Sequence, residues 1–224
     1  EPLPEDVRRL LGDSIVTSTS TEGVIDIYKE AGLERPRLDA VRGAWTDDVM
    51  KRGRAELAIE ALKATLLAES GKVTKYNEVR KKVFSERVNE LMNRYANQQL
   101  TAAEVIAAMA EMADDIIEEA KRGEQFDPPL EEDELTFYDL IAQNESAVDV
   151  LGGGVLAQIA RELVDTMRKD VRTDWTVRED VKARLRANVK RLLRKYKYPP
   201  DRAPEAVLQV MAQMEAMAPR LALR

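Results

Sequence analysis

Asp114 with Glu118, and Asp115 with Glu119, stand four residues apart in "AEMADDIIEEAKRG", so on a helix each pair shares a face. Carboxylates stacked in this way are oxygen donors of the kind a divalent cation takes. Around them, residues 111–134 carry eleven acids against two bases. The twelve-residue calcium-loop pattern is absent, and a di-iron bundle would need Glu-x-x-His in a chain with no histidine. The spacing is read as a solvated acidic face.

A second candidate is "LGGGVLAQ", residues 151–158. Glycines of this kind let a backbone approach a phosphate closely. A Walker-type loop also needs a Lys-Ser or Lys-Thr pair after its last glycine, which is missing, and a dinucleotide loop needs a buried strand before it. The reading is a helix stop at Gly152. Zero histidine and zero cysteine remove much of the remaining chemistry. Ser-His-Asp and Cys-His catalysis, structural zinc and histidine-based metal centres are all out of reach within this chain. Carboxylates, lysines, tyrosines and hydroxyls are left.

The third candidate is "TDWTVREDVKARLRANVKRLLRKYKYPP", residues 173–200. Nine bases lie between Arg178 and Lys197, against Glu179 and Asp180. Stepping about 100° per residue gathers Val181, Leu185, Val189, Leu192 and Tyr196 on one side of a helix. Arg184, Arg186, Lys190, Arg191, Arg194 and Lys197 fall on the opposite arc. Three readings stay open for these six: a solvated face, a protein contact, or a nucleic-acid backbone contact. Acids in the first turn and bases in the last also suit the helix dipole unaided. With a net charge of −6 over the whole chain, any attraction to a polyanion is local.

Positioning such residues falls to helices. A short helix in "PEDVRRLLG" stops at Gly12, and another lies around residues 22–31. From Trp45 to Ala68 the pattern is helical, with Leu57, Leu62, Leu66 and Leu67 as core candidates, and "ESGKV" breaks it. Val73, Tyr76, Val83, Val88, Leu91 and Tyr95 then make one apolar stripe on a long helix. Thr101 followed by Glu104 is a capping box, ahead of a stripe of Val105, Ile106, Met109, Met112, Ile116 and Ile117 that runs to Gly123. "QFDPPLEEDEL" is the expected internal joint: Pro128 and Pro129 cannot continue a helix, and Glu131, Glu132, Asp133 and Glu134 suit the start of the next. A helix from Leu156 to Lys169 follows, then a second capping box (Thr176, Glu179), a stop at Pro199 and Pro200, and a last helix over Glu205 to Met217. Met109, Met112, Met211, Met214 and Met217 are read as core, and Trp45 and Trp175 as packing anchors.

The class is all-α, an irregular multi-helix bundle. Apolar content of 44% and charged content of 34% describe a water-soluble globular chain, and an aromatic fraction of 5% suits helices better than sheets. No apolar run reaches the roughly 20 residues that cross a bilayer, the opening "EPLPEDVRRLLG" lacks a signal-peptide pattern, and a cysteine-free chain fits a reducing compartment. A cytoplasmic location without membrane contact is expected. The start at Glu1 is read as a piece cut from something longer. The expected division is a lead-in over 1–72, a helical domain over 73–200, and a terminal helix and tail over 201–224.

Three strings together carry a family likeness: "SERVNELMNRYANQQLTAAEVIAAMAEMA", "LTFYDLIAQNESAVDVLG" and "IARELVDTMRKDVRTDWTVREDVKARLRANVKRLLRKYKYPP". In order and spacing, over residues 85 to 200, they resemble the extreme C-terminal region of the restriction (R) subunit of type I restriction-modification enzymes. The resemblance implies a bacterial or archaeal parent subunit, an ATP-dependent type I deoxyribonuclease using ATP and Mg, that translocates DNA and cuts it away from the recognition site. The family's nuclease and ATP motifs lie in its N-terminal and central parts and match nothing here, so the resemblance implies no catalytic residue, cofactor or metal site in this chain. Its implied role is assembly: packing on the rest of the R subunit and helping to bind the modification and specificity subunits, with DNA reached through the complex. The rival expectation is a DNA-contacting module using the basic helix 176–197; a carboxylate-based metalloenzyme is a distant third. On the assembly reading Leu185 and Leu192 are buried, the Arg186, Lys190 and Arg194 face is exposed to a partner, and the chain by itself binds duplex DNA poorly.

Overall fold

A computed structural model of the chain describes residues 55–170 and 178–221, together with Leu38, Val41, Lys51 and Gly53. The expected helices before residue 31, both tryptophans and Thr176 lie outside the described residues. Among the described residues there are seven α-helices and no strand: α1 (Ala55–Thr74), α2 (Glu78–Ala96), α3 (Ala102–Glu119), α4 (Glu132–Ala142), α5 (Glu145–Asp170), α6 (Glu179–Lys195) and α7 (Ala203–Leu221). The all-α class holds.

Packing gathers these helices into two compact units, one formed by the described part of Glu1–Val73 with Lys82–Ala120, the other by Thr74–Lys81 with Lys121–Arg224. Residues 82–120 belong with what precedes them, and α7 shares one core with α4, α5 and α6.

In the first unit Ile59, Leu62 and Leu66 of α1 meet Phe84, Val88 and Leu91 of α2 and Val105, Ile106, Met109, Met112 and Ile116 of α3. Leu57 is half-buried and Leu67 exposed, so only two of the four expected leucines are fully interior. "ESGKV" does not break α1. A lone glycine costs a helix only about 1 kcal/mol relative to alanine, and the chain runs through Gly71 to Thr74, with Ser70 and Thr74 both buried. The break comes at Lys75, whose φ of 39° is left-handed. Asn77 then caps α2, its Oδ1 accepting from the Arg80 amide at 3.2 Å. The single stripe expected over Val73 to Tyr95 is thus divided: Tyr76 sits in the turn, and Phe84, beside half-buried Val83, is the interior residue. The capping box on α3 forms as expected, Thr101 N–H donating to Glu104 Oε2 at 2.8 Å and Glu104 N–H to Thr101 Oγ1 at 3.3 Å.

The second unit opens with a 3-10 turn, Arg122–Gln125. The Gly123 carbonyl accepts from the Phe126 and Leu130 amides, and a Cβ on Gly123 would stand 2.3 Å from the Leu130 carbonyl oxygen. Only glycine allows that closeness. α4 starts as expected on its acids, Glu131 N–H donating to Glu134 Oε2 at 2.8 Å. α5 begins earlier than Leu156, at Glu145, and is interrupted at Gly152, where φ is 72° and ψ 163°. That is the expected helix stop, and the helix resumes at once. Phe137 and Ile141 of α4, Leu156, Ile159, Leu163 and Met167 of α5, Leu185, Val189 and Leu193 of α6, and Val207, Val210, Met211, Met214 and Met217 of α7 make one core. All five methionines read as core are buried.

Candidate functional site

The basic stretch becomes α6, and its apolar residues decide how it lies. Leu185, Val189, Leu192 and Leu193 are buried, with Val181 and Tyr196 packed partly against the same core. Burial of about 1.5 kcal/mol or more for each such side chain fixes the helix's rotation and turns the opposite arc outward. Arg184, Arg186, Lys190, Arg191, Arg194 and Lys197 are all exposed. α6 starts from Arg178 in extended conformation, and its acids, Glu179 and Asp180, occupy the first turn. At the other end Tyr198 N–H donates to the Leu193 carbonyl at 2.9 Å and Lys197 N–H to the Arg194 carbonyl at 3.1 Å, the paired bonds of a Schellman stop. Lys197 takes the left-handed position there, with φ 55°. Buried Tyr198 anchors the end by donating to the Ile141 carbonyl at 2.9 Å.

The nine bases divide sharply. Arg178 pairs with Asp180 at 2.8 Å, and Lys182 reaches Glu215 at 3.3 Å and Glu179 at 3.6 Å. Lys195 lies 2.8 and 2.9 Å from the two oxygens of Glu162 on α5, and Tyr196 donates its hydroxyl to the same carboxylate. Burial alone would raise the Glu162 carboxyl, but hydrogen bonds from Lys195, Tyr196 and Gln158 hold it below its ordinary value. The Lys195 ammonium and the Tyr196 hydroxyl are correspondingly raised, each chiefly by its bond to Glu162. The remaining six bases are the six of the outward arc. For Arg186, Lys190, Arg191, Arg194 and Lys197 there is no ion-pair partner among the described residues.

Residues 1–220 match the family model described as "Type I restriction enzyme HindI endonuclease subunit-like, C-terminal". The chain belongs to the C-terminal family of type I restriction endonuclease subunits. It is 34% identical over 212 residues to the type I restriction enzyme HindI endonuclease subunit of Haemophilus influenzae, covering 94% of this chain and 20% of that protein. A putative type I restriction enzyme MjaIXP endonuclease subunit of Methanocaldococcus jannaschii is 26% identical over 196 residues, 87% of this chain and 18% of the relative. The chain thus spans about a fifth of the length of the curated relatives it matches. No solved structure matches it.

The other candidates are placed plainly in this restriction-subunit module. Asp115 pairs with Arg87 at 2.6 Å, and Glu119 is buried, so that stacked pair presents no shared open face. Among the described residues no three acidic side chains converge as a metal set would require. Gly152 makes a kink in α5. A polar cluster in the second unit escaped the sequence reading altogether: buried Asp139 accepts from Asn77 Nδ2 at 2.6 Å and from both ends of the Arg122 guanidinium, Nη1 at 2.7 Å. In the same unit Arg168 reaches Glu131 at 2.8 Å and buried Asp133 at 3.4 Å. Sixty-two and seventeen residues separate Asp139 from Asn77 and Arg122, so no local spacing announces the cluster. Its groups pair with one another within the second unit. Among the described residues no helix is long and apolar enough to cross a membrane.

Proposed function

We propose that this chain is the non-catalytic docking module of an R subunit, holding that subunit to the modification and specificity subunits. The parent subunit, on this reading, is a cytoplasmic ATP-dependent type I deoxyribonuclease that moves along DNA with ATP and Mg bound outside this chain. The observation that carries the reading is the match of residues 1–220 to the C-terminal part of type I endonuclease subunits, in a chain that spans about a fifth of the length of its relatives. Support comes also from the Haemophilus influenzae relative, itself the endonuclease subunit of a type I enzyme.

Capture of the modification-specificity core by the whole R subunit, with and without residues 1–224, tests this. Removal of the chain is expected to lower capture at least tenfold without DNA present, and the isolated chain added in excess should compete with the whole subunit. Undiminished capture by the truncated subunit would refute the docking role.

A further inference from the structure

Arg186, Lys190 and Arg194 recur at four-residue steps, a single line along α6, flanked by Arg184 and Arg191, and Lys197 follows two residues past the helix's last residue. At about 1.5 Å per residue the ridge from Arg184 to Lys197 is roughly 20 Å long. It contains no acid: Glu179 and Asp180 sit in the first turn, where Lys182 and Arg178 engage them. Nor does it offer an apolar anchor. The exposed large apolar side chains among the described residues are Leu67, Tyr76, Val148, Val150 and Leu208, none of them on α6. Protein interfaces concentrate aromatic and apolar residues at their centres, whereas a phosphate backbone asks only for spaced cations. Duplex DNA presents one negative charge per about 1.7 Å of axis, so a ridge of this length faces more phosphates than it has bases. The end of the ridge adds a separate observation. Lys197 occupies the left-handed position of a helix stop where glycine is the usual residue. A cation stands there against the backbone preference of an L-residue.

We infer that the Arg184–Lys197 ridge of α6 binds the phosphate backbone of duplex nucleic acid, independently of base sequence. This goes beyond docking and does not depend on it: a module can hold its protein partners by other faces while α6 lies along the duplex.

The test uses the full 224-residue chain and a labelled duplex of about 30 base pairs, titrated between roughly 50 and 200 mM salt. Five uncompensated bases set an expected log–log slope of about −4.5, at about 0.9 per phosphate. Arg186→Glu, Lys190→Glu and Arg194→Glu together should weaken binding at least tenfold and flatten the slope by about 2.7. Should that variant lose its helical circular dichroism, the glutamine set at the same positions replaces it. Lys197→Gly should flatten the slope by about 0.9 while leaving the melting temperature equal or higher. Absence of wild-type binding at low salt, or a slope that the reversals leave unchanged, would overturn the inference. Poly-glutamate that displaces the duplex as well as unlabelled DNA does, at equal charge, would also overturn it, assigning the ridge to an acidic protein surface. So would a matching loss in capture of the DNA-free modification-specificity core. Unchanged capture of that core beside lost duplex binding separates this inference from the docking role.

Discussion

Single side chains in the second unit do two opposite jobs with charge. Asp139 gathers Arg122 and Asn77 inside the fold, where an acceptor shared by two donors is hard to replace. Asp139→Ala should destabilise the chain by about 3 kcal/mol, the lower end for a broken buried pair, because Arg122 keeps some access to water; urea unfolding measures it. Glu162 acts nearer the surface. Its folded pKa is held below the unfolded one, so its contribution to stability is present above about pH 4.3 and is lost as pH falls through the lower folded value. The melting temperature of Glu162→Gln should therefore lie below wild type at neutral pH, with the gap closing below about pH 4. A constant gap across that range would deny the carboxylate its role. By occupying Lys195, as other acids occupy Arg178 and Lys182, the same carboxylate leaves the outward arc to the remaining six bases.

At the scale of the element, α5 and α6 show where helices tolerate a break and where they need one. Gly152 combines φ 72° with ψ 163°, a region reached almost only by glycine. Gly154 lies two residues on in regular helix, with open space where a Cβ would go. Gly152→Ala should cost about 1–3 kcal/mol, and Gly154→Ala should stabilise by roughly 0.5–1 kcal/mol. Denaturant midpoints of the two variants moving in the same direction would contradict this reading of the kink. α6 depends on no such device: its four buried residues hold it from one side, so its charged side is free to change. Surface substitutions away from special features shift stability by about 0.5 kcal/mol or less, which makes α6 a clean place to vary charge without unfolding the module.

For the molecule as a whole, the absence of histidine and cysteine and the missing lysine loop lead to one expectation about activity. The isolated chain should hydrolyse no ATP and cut no DNA, and its far-ultraviolet circular dichroism should be unchanged by a chelator. ATP turnover that survives repurification and vanishes on a single substitution within the chain would reverse that conclusion.

The all-α class, the capping box at Thr101, the acidic start of α4, the stop at Gly152 and the two faces of the basic helix were all legible in sequence, because each rests on bonds or contacts within a few residues. Family membership was legible too, in the strings over residues 85 to 200. The end of α1 was not. Gly71 is a weak helix breaker, and the left-handed turn at Lys75 carries no glycine to mark it. Tertiary structure alone decided that residues 82–120 and 121–221 form separate cores, that Asp139 collects partners 62 and 17 residues away, and that Lys182 and Lys195 reach acids on other helices. These follow from which side chains meet when helices pack, and residues far apart in the chain leave no mark of that meeting in local spacing.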